Sequence, residues 1–586
     1  MRAPKPAFIS FAPFSAELRA YDFPQFRNDL LAALAVALLT IPQSIAYSLL
    51  AGLPPTAGLF SAIFGSMLVA AFGSSRQLIA GPSTGVAILI QTSIADLLAN
   101  YFETVTGPAK EALTLHILTQ IVLIMGILQI ASGFFNVSKL LQFVSRPVVL
   151  GYFAGITVAI AVAQVSYLFG VPSVAGGTLV SKAIFFVAHL TETNGAALVV
   201  GASSLGVLLF FRRHLRNWPD ALFAILAASL IALAFHRGNS EFRVQTIQDL
   251  HLAAQPIPQL IMPLVDFNII NKVFPSAVAI AFLAVLEVFS ISRNFASRSG
   301  QSVQINQDVF GLGLGNTALS FIAGTLPCSG SMTRTALNFR MSAKTRLAAV
   351  LSGLFTAVIL YFCWPLVELI PLAGLAALLI ATLPALTNFQ ELKLCFRATR
   401  EDAWVFILTF LSCLIFSLEI AFFIGIVMSI ATYLKKSSEP YLVEYAFNAK
   451  GRLMVVSPQE DVHRKVRIIG IGGELYFAAA DFVQNAMADV IGDPNVEAVV
   501  LRLNNVHHMD ASMCLALTRL HELLKAKGHY LIISGLTEEV WRVFHRAGLV
   551  KQVGVDNLYF TDESNPQFST WKACLRAQEL IHHRTH

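Results

Sequence analysis

Two stretches of this chain set glycine, proline and hydroxyl side chains inside otherwise apolar runs, a combination suited to holding an anion. In LIAGPSTGVAILI, Gly81-Pro82 stops any helix arriving from upstream, Pro82 suits a first helical turn, and Ser83 and Thr84 offer hydroxyls there. In GTLPCSGSMTRTALNF, Pro327, Gly330, Ser331 and Thr333 supply the same punctuation, and Arg334 adds a full positive charge. Each stretch reads as an extended lead-in followed by a short helix. A helix N-terminus carries roughly half a positive charge and four unpaired N–H donors. Two such ends meeting near mid-membrane would present donors to an anion from both directions. One break alone would read as a kink, since Gly and Pro are common in membrane helices. Two breaks at equivalent positions point instead to a binding site.

Three more polar side chains stand out in apolar surroundings. Gln43 and Tyr47, in TIPQSIAYSLLAGLPP, are four residues apart and share a helix face. They either line a cavity or, in the case of Gln43, join two helices by a hydrogen bond. Glu287, in AVAIAFLAVLEVFSIS, is a lone carboxylate, which inside a membrane is a proton or cation relay unless it pairs structurally with Arg334 or Arg293.

The elements that must position these residues follow from composition. Of 586 residues, 55% are hydrophobic and 13% charged, against about 25% charged in ordinary globular proteins. The shortfall is confined to residues 30–434, a string of apolar segments approaching the roughly 20 residues a spanning helix needs. We read fourteen: 30–50, 57–72, 82–99, 113–133, 147–168, 195–211, 220–236, 274–292, 308–325, 331–339, 347–367, 371–389, 403–417 and 420–434. With the N-terminus in the cytoplasm, twenty Lys and Arg fall on the cytoplasmic side, among them Arg2, Lys5, Arg19, Lys139 and Arg216. Only Lys110, Lys182, Arg237, Arg243 and Lys272 fall on the other. This bias places both termini in the cytoplasm and accounts for much of the net charge of +6 without nucleic acid. The interrupted segments are the third and tenth. They occupy matching places in two halves of seven, which must then run in inverted orientation. No signal peptide is expected, because the first residues lack an apolar core with a cleavage site. The six scattered cysteines read as reduced thiols, and neither a metal nor a cofactor is expected.

AVALLTIPQSIAYSLLAGLPPTAGLFSAIFGSMLVAAFGSSRQLIAGPSTGVA resembles the signature region of the SulP anion transporters, the solute carrier family 26 type. GLGLGNTALSFIAGTLPCSGSMTRTALNFRMSAKTRLAAV resembles that family's second repeat, and the likeness covers nearly the whole chain. The resemblance implies an α-helical polytopic fold of 7+7 inverted repeats with two half-helices, divided into a core and a gate unit. Its anion site would lie between the N-termini of the third and tenth helices, at Gln43, Tyr47, Ser83, Thr84, Ser331, Thr333 and Arg334. Glu287 matches the acid associated with ion coupling. Sodium-using members carry a hydroxyl one turn later, where this chain has Ile291 with Ser290 beside it, which favours a co-transported proton over sodium. Sulfate, bicarbonate, chloride and dicarboxylates are the implied substrates. A homodimer in the plasma membrane, the inner membrane of a bacterium, is implied too.

We divide the chain into an N-terminal cytoplasmic segment (1–29), a transport domain (30–436), a linker with the start of the soluble domain (437–463), and an α/β domain with its tail (464–586). In the last, VRIIGIGGELYF, EAVVLRLNNV and HYLIISGL read as strands, and ASMCLALTRLHELLKAKG, EEVWRVFHRAGL and STWKACLRAQELIHH as helices. This pattern resembles the cytoplasmic STAS domain, shared by SulP transporters and anti-sigma-factor antagonists, and implies a protein partner. MDASMC puts Ser512 at that family's phosphoacceptor position, although Met513 replaces the usual glycine. Asp510 or Ser512 as a helix cap is the plainer reading. His507 and His508 lack companions at metal spacing, and GIGGE lacks the third glycine of a dinucleotide fingerprint. No nucleophile–base constellation appears, so no enzyme is expected. The rivals are a nucleobase-type permease of the same architecture and a membrane-tethered signalling protein.

Overall fold

The computed structural model describes residues 9–11, 13–14, 17, 21–102, 105, 107–136, 144–172, 179–215, 219–238, 244–250, 257–263, 265–386, 389–437, 440–448, 450–456, 464–562 and 564–585. Arg2, Lys5, Arg19, Lys139, Arg216 and Arg243, six of the cations in the loop count, lie outside these residues. The chain forms two compact units, Met1–Ser429 and Ile430–His586.

The first unit is helical. Its helices are α1 (Phe23–Leu50), α2 (Pro55–Phe72), α3 (Thr84–Tyr101), α4 (Pro108–Phe134), α5 (Arg146–Phe169), α6 (Leu179–Ala188), α7 (Gly195–His214) and α8 (Asp220–Gly238). They continue as α9 (Phe267–Ser299), α10 (Ile305–Leu319), α11 (Met332–Arg340), α12 (Leu347–Glu368), α13 (Leu372–Leu386), α14 (Phe389–Ala398), α15 (Arg400–Ile415) and α16 (Leu418–Ser437), the last of which runs past Ser429 into the second unit's residues. Each of the fourteen apolar segments falls on one of them, and α6 and α14 are two further short helices. Among the described residues nine helices are long and apolar enough to cross a membrane. Contacts divide them into two groups: α1–α4 with α9–α12, and α5, α7, α8, α13 and α15. Helix α16 joins the second group, since a Cβ on its Gly425 would touch Val148 of α5 and Thr409 of α15.

Small residues let the first group pack tightly. The run GLGLGN puts Gly311 against Gly73 and Gly313 against Gly126 and Ile130, where a Cβ would lie within 3.0 Å of backbone atoms. Helix α10 thereby sits close between α2 and α4, an approach that membrane helices use in place of a hydrophobic driving force.

The second unit is built on a six-stranded sheet of β3 (Tyr441–Phe447), β4 (Leu453–Val455), β5 (Val466–Leu475), β6 (Ala498–Met509), β7 (Tyr530–Leu536) and β8 (Leu558–Phe560), ordered β4-β3-β5-β6-β7-β8. The pairs β5–β6, β6–β7 and β7–β8 are parallel, and β3 is antiparallel to both its neighbours. Strands β3 and β4 lie in the stretch read as linker and start of the soluble domain. The two-residue period of a strand decides the layers. Ile468, Val500 and Ile532 are in register and pack on α21 (Phe568–Thr585). Ile469, Leu501 and Ile533, one residue on, face α17 (Phe477–Gly492) and α18 (Ala511–Ala526). Helices α19 (Glu538–Arg546) and α20 (Leu549–Val553) complete that second core. Burial pushes the Cys514 thiol up to about 11 and the Cys574 thiol up to about 12, which keeps both protonated at neutral pH.

Candidate functional site

The two interrupted stretches meet. Their lead-ins, β1 (Ala80–Gly81) and β2 (Ser329–Gly330), pair antiparallel with Ala80 opposite Gly330 and Gly81 opposite Ser329. Because the lead-ins run in opposite directions, α3 and α11 leave this point in opposite directions, with their N-termini together. Extended backbone at such depth survives only where protein satisfies its polar groups. Asn316 of α10 does so for the second lead-in: its amide oxygen accepts from the Cys328 N–H (2.7 Å), and its NH2 donates to the Cys328 carbonyl (3.0 Å) and to Gln129 (2.8 Å). Thr335 and Asn338 of α11 do so for the first, through the Ile79 N–H (3.1 Å) and the Gln77 carbonyl (3.0 Å).

Pro82 lies one residue outside the position expected for it. Ser83 is the N-cap of α3, accepting from the Val86 N–H at 3.3 Å, so Pro82 precedes the cap rather than opening the first turn. Its carbonyl is thereby free to accept from Arg334 Nη2 at 2.5 Å. Arg334 is fully buried, and a Cβ on Gly81 would come within 2.6 Å of its Nη1. Among the described residues its Nε and Nη1 have no hydrogen-bond partner. The guanidinium thus sits behind the crossing of the lead-ins, bonded to one half-helix and carried by the other. Ser331 is the N-cap of α11 but makes no cap bond, which leaves its hydroxyl to the cavity.

That cavity, of about 160 Å³, is walled by Tyr47, Ser83, Thr84, Glu287, Ser331 and Thr333 from the first group, and by Phe153 of α5 with Thr382 and Leu386 of α13 from the second. It has room for about five water molecules, hence for a small anion. Glu287 takes a hydrogen bond from Ser329 Oγ, and its other oxygen lies against Gly85, where a Cβ would stand at 3.0 Å. Among the described residues it forms no ion pair: Arg334 is engaged with Pro82, and Arg293 lies over the Phe289 ring at 5.1 Å. Ser290 and Ile291 also line the wall.

Gln43 opens instead on an adjoining vestibule of about 650 Å³, walled by Leu31, Leu38, Arg212, Asp220, Arg340 and others, with Thr333 and Thr382 shared between the two spaces. Thr333 Oγ1 stands 3.5 Å from the Gln43 amide oxygen, at the neck between them. Of the expected site residues, then, Tyr47, Ser83, Thr84, Ser331, Thr333 and Glu287 surround one cavity. Gln43 sits at its mouth and Arg334 behind it. Sequence reasoning did not find Phe153, Thr382, Ser329 or Asn316. The last two carried a signal, as polar residues in or beside the interrupted second stretch; Phe153 and Thr382 look like ordinary members of apolar helices.

In the second unit, Asp510 caps α18, accepting from the Met513 N–H at 2.9 Å, and also takes the Phe477 N–H at 2.7 Å. Ser512 is half-buried in the first turn of α18, within reach of its N-terminal dipole. His508 faces Glu539 at 3.4 Å. The side chain of His507 lies outside what is described.

Residues 26–409 match the Sulfate permease family model and residues 457–563 the STAS domain model. Sulfate transporter 4.1, chloroplastic, of Arabidopsis thaliana is 25% identical over 92% of this chain and 79% of its own length. The putative sulfate transporter YvdB of Bacillus subtilis is 23% identical over 93% and 98%. Among solved structures, the murine anion transporter Slc26a9 in its inward-facing state superposes with a TM-score of 0.84 at 22% identity, covering 99% of this chain and 96% of that one. The transmembrane domain of the cyanobacterial bicarbonate transporter BicA gives 0.59 at 19% identity, over 70% and 98%. With the family model matching 26–409 and the fold shared along nearly the whole chain, this protein belongs to the sulfate permease (SulP) family of multi-pass anion transporters and ends in a STAS domain.

Proposed function

We propose that the protein is a secondary transporter that carries sulfate, bicarbonate or a small dicarboxylate together with a proton, by alternating access of the cavity between α3 and α11. The observation that supports this most is the convergence of two half-helix N-termini on a cavity whose wall also holds Glu287, a carboxyl bonded to Ser329 and without an ion-pair partner among the described residues. The N-termini and Arg334 attract the anion, Glu287 carries the proton, and the two helical groups move against each other across the cavity. The vestibule opens on the face bearing Arg212 and Arg340, which positive-inside bias assigns to the cytoplasm. The described conformation is then inward-facing. We place the protein in the plasma membrane, as a homodimer with both termini cytoplasmic. The relatives' names support testing sulfate first. Purified protein in proteoliposomes should concentrate radiolabelled sulfate, bicarbonate or a C4-dicarboxylate when an inward proton gradient is imposed. Uptake blocked by uracil would point instead to a nucleobase-type permease, and no uptake of any of these would leave a signalling protein.

The STAS domain modulates this cycle and does not form the pathway, since every cavity residue precedes Ile430. A chain ended after Ser438, a residue outside those described, retains all of α16. It should bind anion in detergent with a Kd within about threefold of the full chain, a change under 1 kcal/mol. Folded, truncated protein without anion affinity would overturn this. Phosphorylation of Ser512 would add negative charge at the positive end of α18, and we regard it as a means by which a cytoplasmic partner is admitted or released.

A further inference from the structure

Another carboxyl within the helical unit takes no part in the cavity and bridges the two helical groups. Glu419, in the first turn of α16, accepts hydrogen bonds from Ser93 Oγ of α3 and from Ser276 Oγ of α9, the latter at 2.8 Å. Both serines are buried. The two bonds join the helical groups, because α16 packs on α5 and α15, whereas α3 and α9 belong to the other group. The seam continues one turn along α16. Phe422 is buried there with its ring 5.0 Å from Tyr152 of α5 and 5.4 Å from Phe282 of α9.

The position of the seam follows from helix direction. Helix α1 runs from the vestibule at Leu31 to the cavity at Tyr47, and α11 runs from the cavity back to the vestibule at Arg340. Helix α3 leaves the cavity in the opposite sense, and Ser93 is nine residues beyond its start, roughly 13 Å at 1.5 Å per residue. Ser276 precedes Glu287 on α9 by eleven residues, roughly 16 Å. The bonds therefore lie beyond the cavity on the side away from the vestibule. Asp96, also on α3, adds a like charge facing Glu419, and Lys182 of α6 faces Asp96.

We propose that Glu419, Ser93 and Ser276 form the outer latch of the carrier, holding the two helical groups together on the face opposite the vestibule, with Phe422 as the apolar plug beneath. Separating the groups takes both of these bonds from Glu419 and the one from Ser276 until water enters, while Ser93 Oγ keeps the Leu89 carbonyl one turn back at 2.6 Å. The latch thus favours the inward-facing state and sets how often the cavity opens outward. This rests on the alternating-access reading, and the test separates the two.

The test is done on full-length protein in vesicles of defined orientation, with Phe153→Cys as the reporter in the cavity wall. A membrane-impermeant thiol reagent is applied from either face, and the labelling of protein without that substitution is subtracted. From the vestibule side the reporter should be labelled readily; failure there counts against the alternating-access reading and not against the latch. From the opposite side labelling should be slow. Glu419→Ala should speed it at least about tenfold, the least that loss of one charge-assisted hydrogen bond would give. Ser93→Ala with Ser276→Ala should do the same, and adding Glu419→Ala to that pair should give no further gain. Should Glu419→Ala not fold, the paired serine variant decides. Outer-face labelling that stays unchanged in folded variants overturns the proposal.

Discussion

Replacing Arg334 with Gln is expected to raise the Kd of a dianion about a hundredfold and that of a monoanion about tenfold, measured by binding on purified protein at one pH and ionic strength. A unit charge about 6 Å from an anion, at an effective dielectric near 20, is worth roughly 2.8 kcal/mol, and about twice that against a dianion. Desolvation and water consume much of both. The structure adds a part that does not depend on anion charge. Arg334 donates to the Pro82 carbonyl, and its guanidinium lies against Gly81 at the crossing of the lead-ins, so the shorter Gln also unties α11 from the start of α3. That part weakens monoanion and dianion alike. The charge effect is the excess for the dianion, and equal losses for both would mean that Arg334 acts only by holding the half-helices together. Binding should weaken and not vanish, because both N-termini and the hydroxyls of Ser83, Thr84, Ser331 and Thr333 remain.

Glu287→Gln is expected to abolish the stimulation of uptake by an inward proton gradient, while exchange of labelled for unlabelled anion across the membrane persists. Gln keeps the volume and can still bond Ser329, so the cavity wall is preserved. It cannot take up or release a proton, so the carrier returns in the same charge state whether or not a gradient is present. Glu287 has no ion-pair partner among the described residues, so its neutral replacement strands no cation. Gradient-driven and gradient-free uptake by the Gln variant, compared in proteoliposomes, decide the matter. Unchanged proton dependence would leave Glu287 as a hydrogen-bonding partner of Ser329 and move the coupling group elsewhere.

What the residues determined unaided was local chemistry. The Gly-Pro and Pro-Cys-Ser-Gly breaks fall at equivalent places in the two halves, and the hydroxyls after them suit helix starts, so two half-helices were legible in the sequence. A lone carboxylate in an apolar span was equally plain, because burying it has a cost that chance does not often sustain. In the second unit the β-rich runs through Ile468-Ile469, Val500-Leu501 and Ile532-Ile533 were legible as strands, and the structure covers them on both faces. Only the tertiary structure decided who meets whom. Arg334 could be read as facing the anion, but the pairing of Ala80-Gly81 with Ser329-Gly330 carries it behind the crossing, onto a carbonyl 252 residues away in the chain. Gln43 and Tyr47 share a helix face, yet a neck at Thr333 divides them between vestibule and cavity. Glu419 is satisfied only through space, by Ser93 and Ser276, which are 326 and 143 residues distant. Caps and breaks act over a few residues and can be read along the chain, whereas buried polar groups are satisfied through space, by whichever neighbours the packing of the helices supplies.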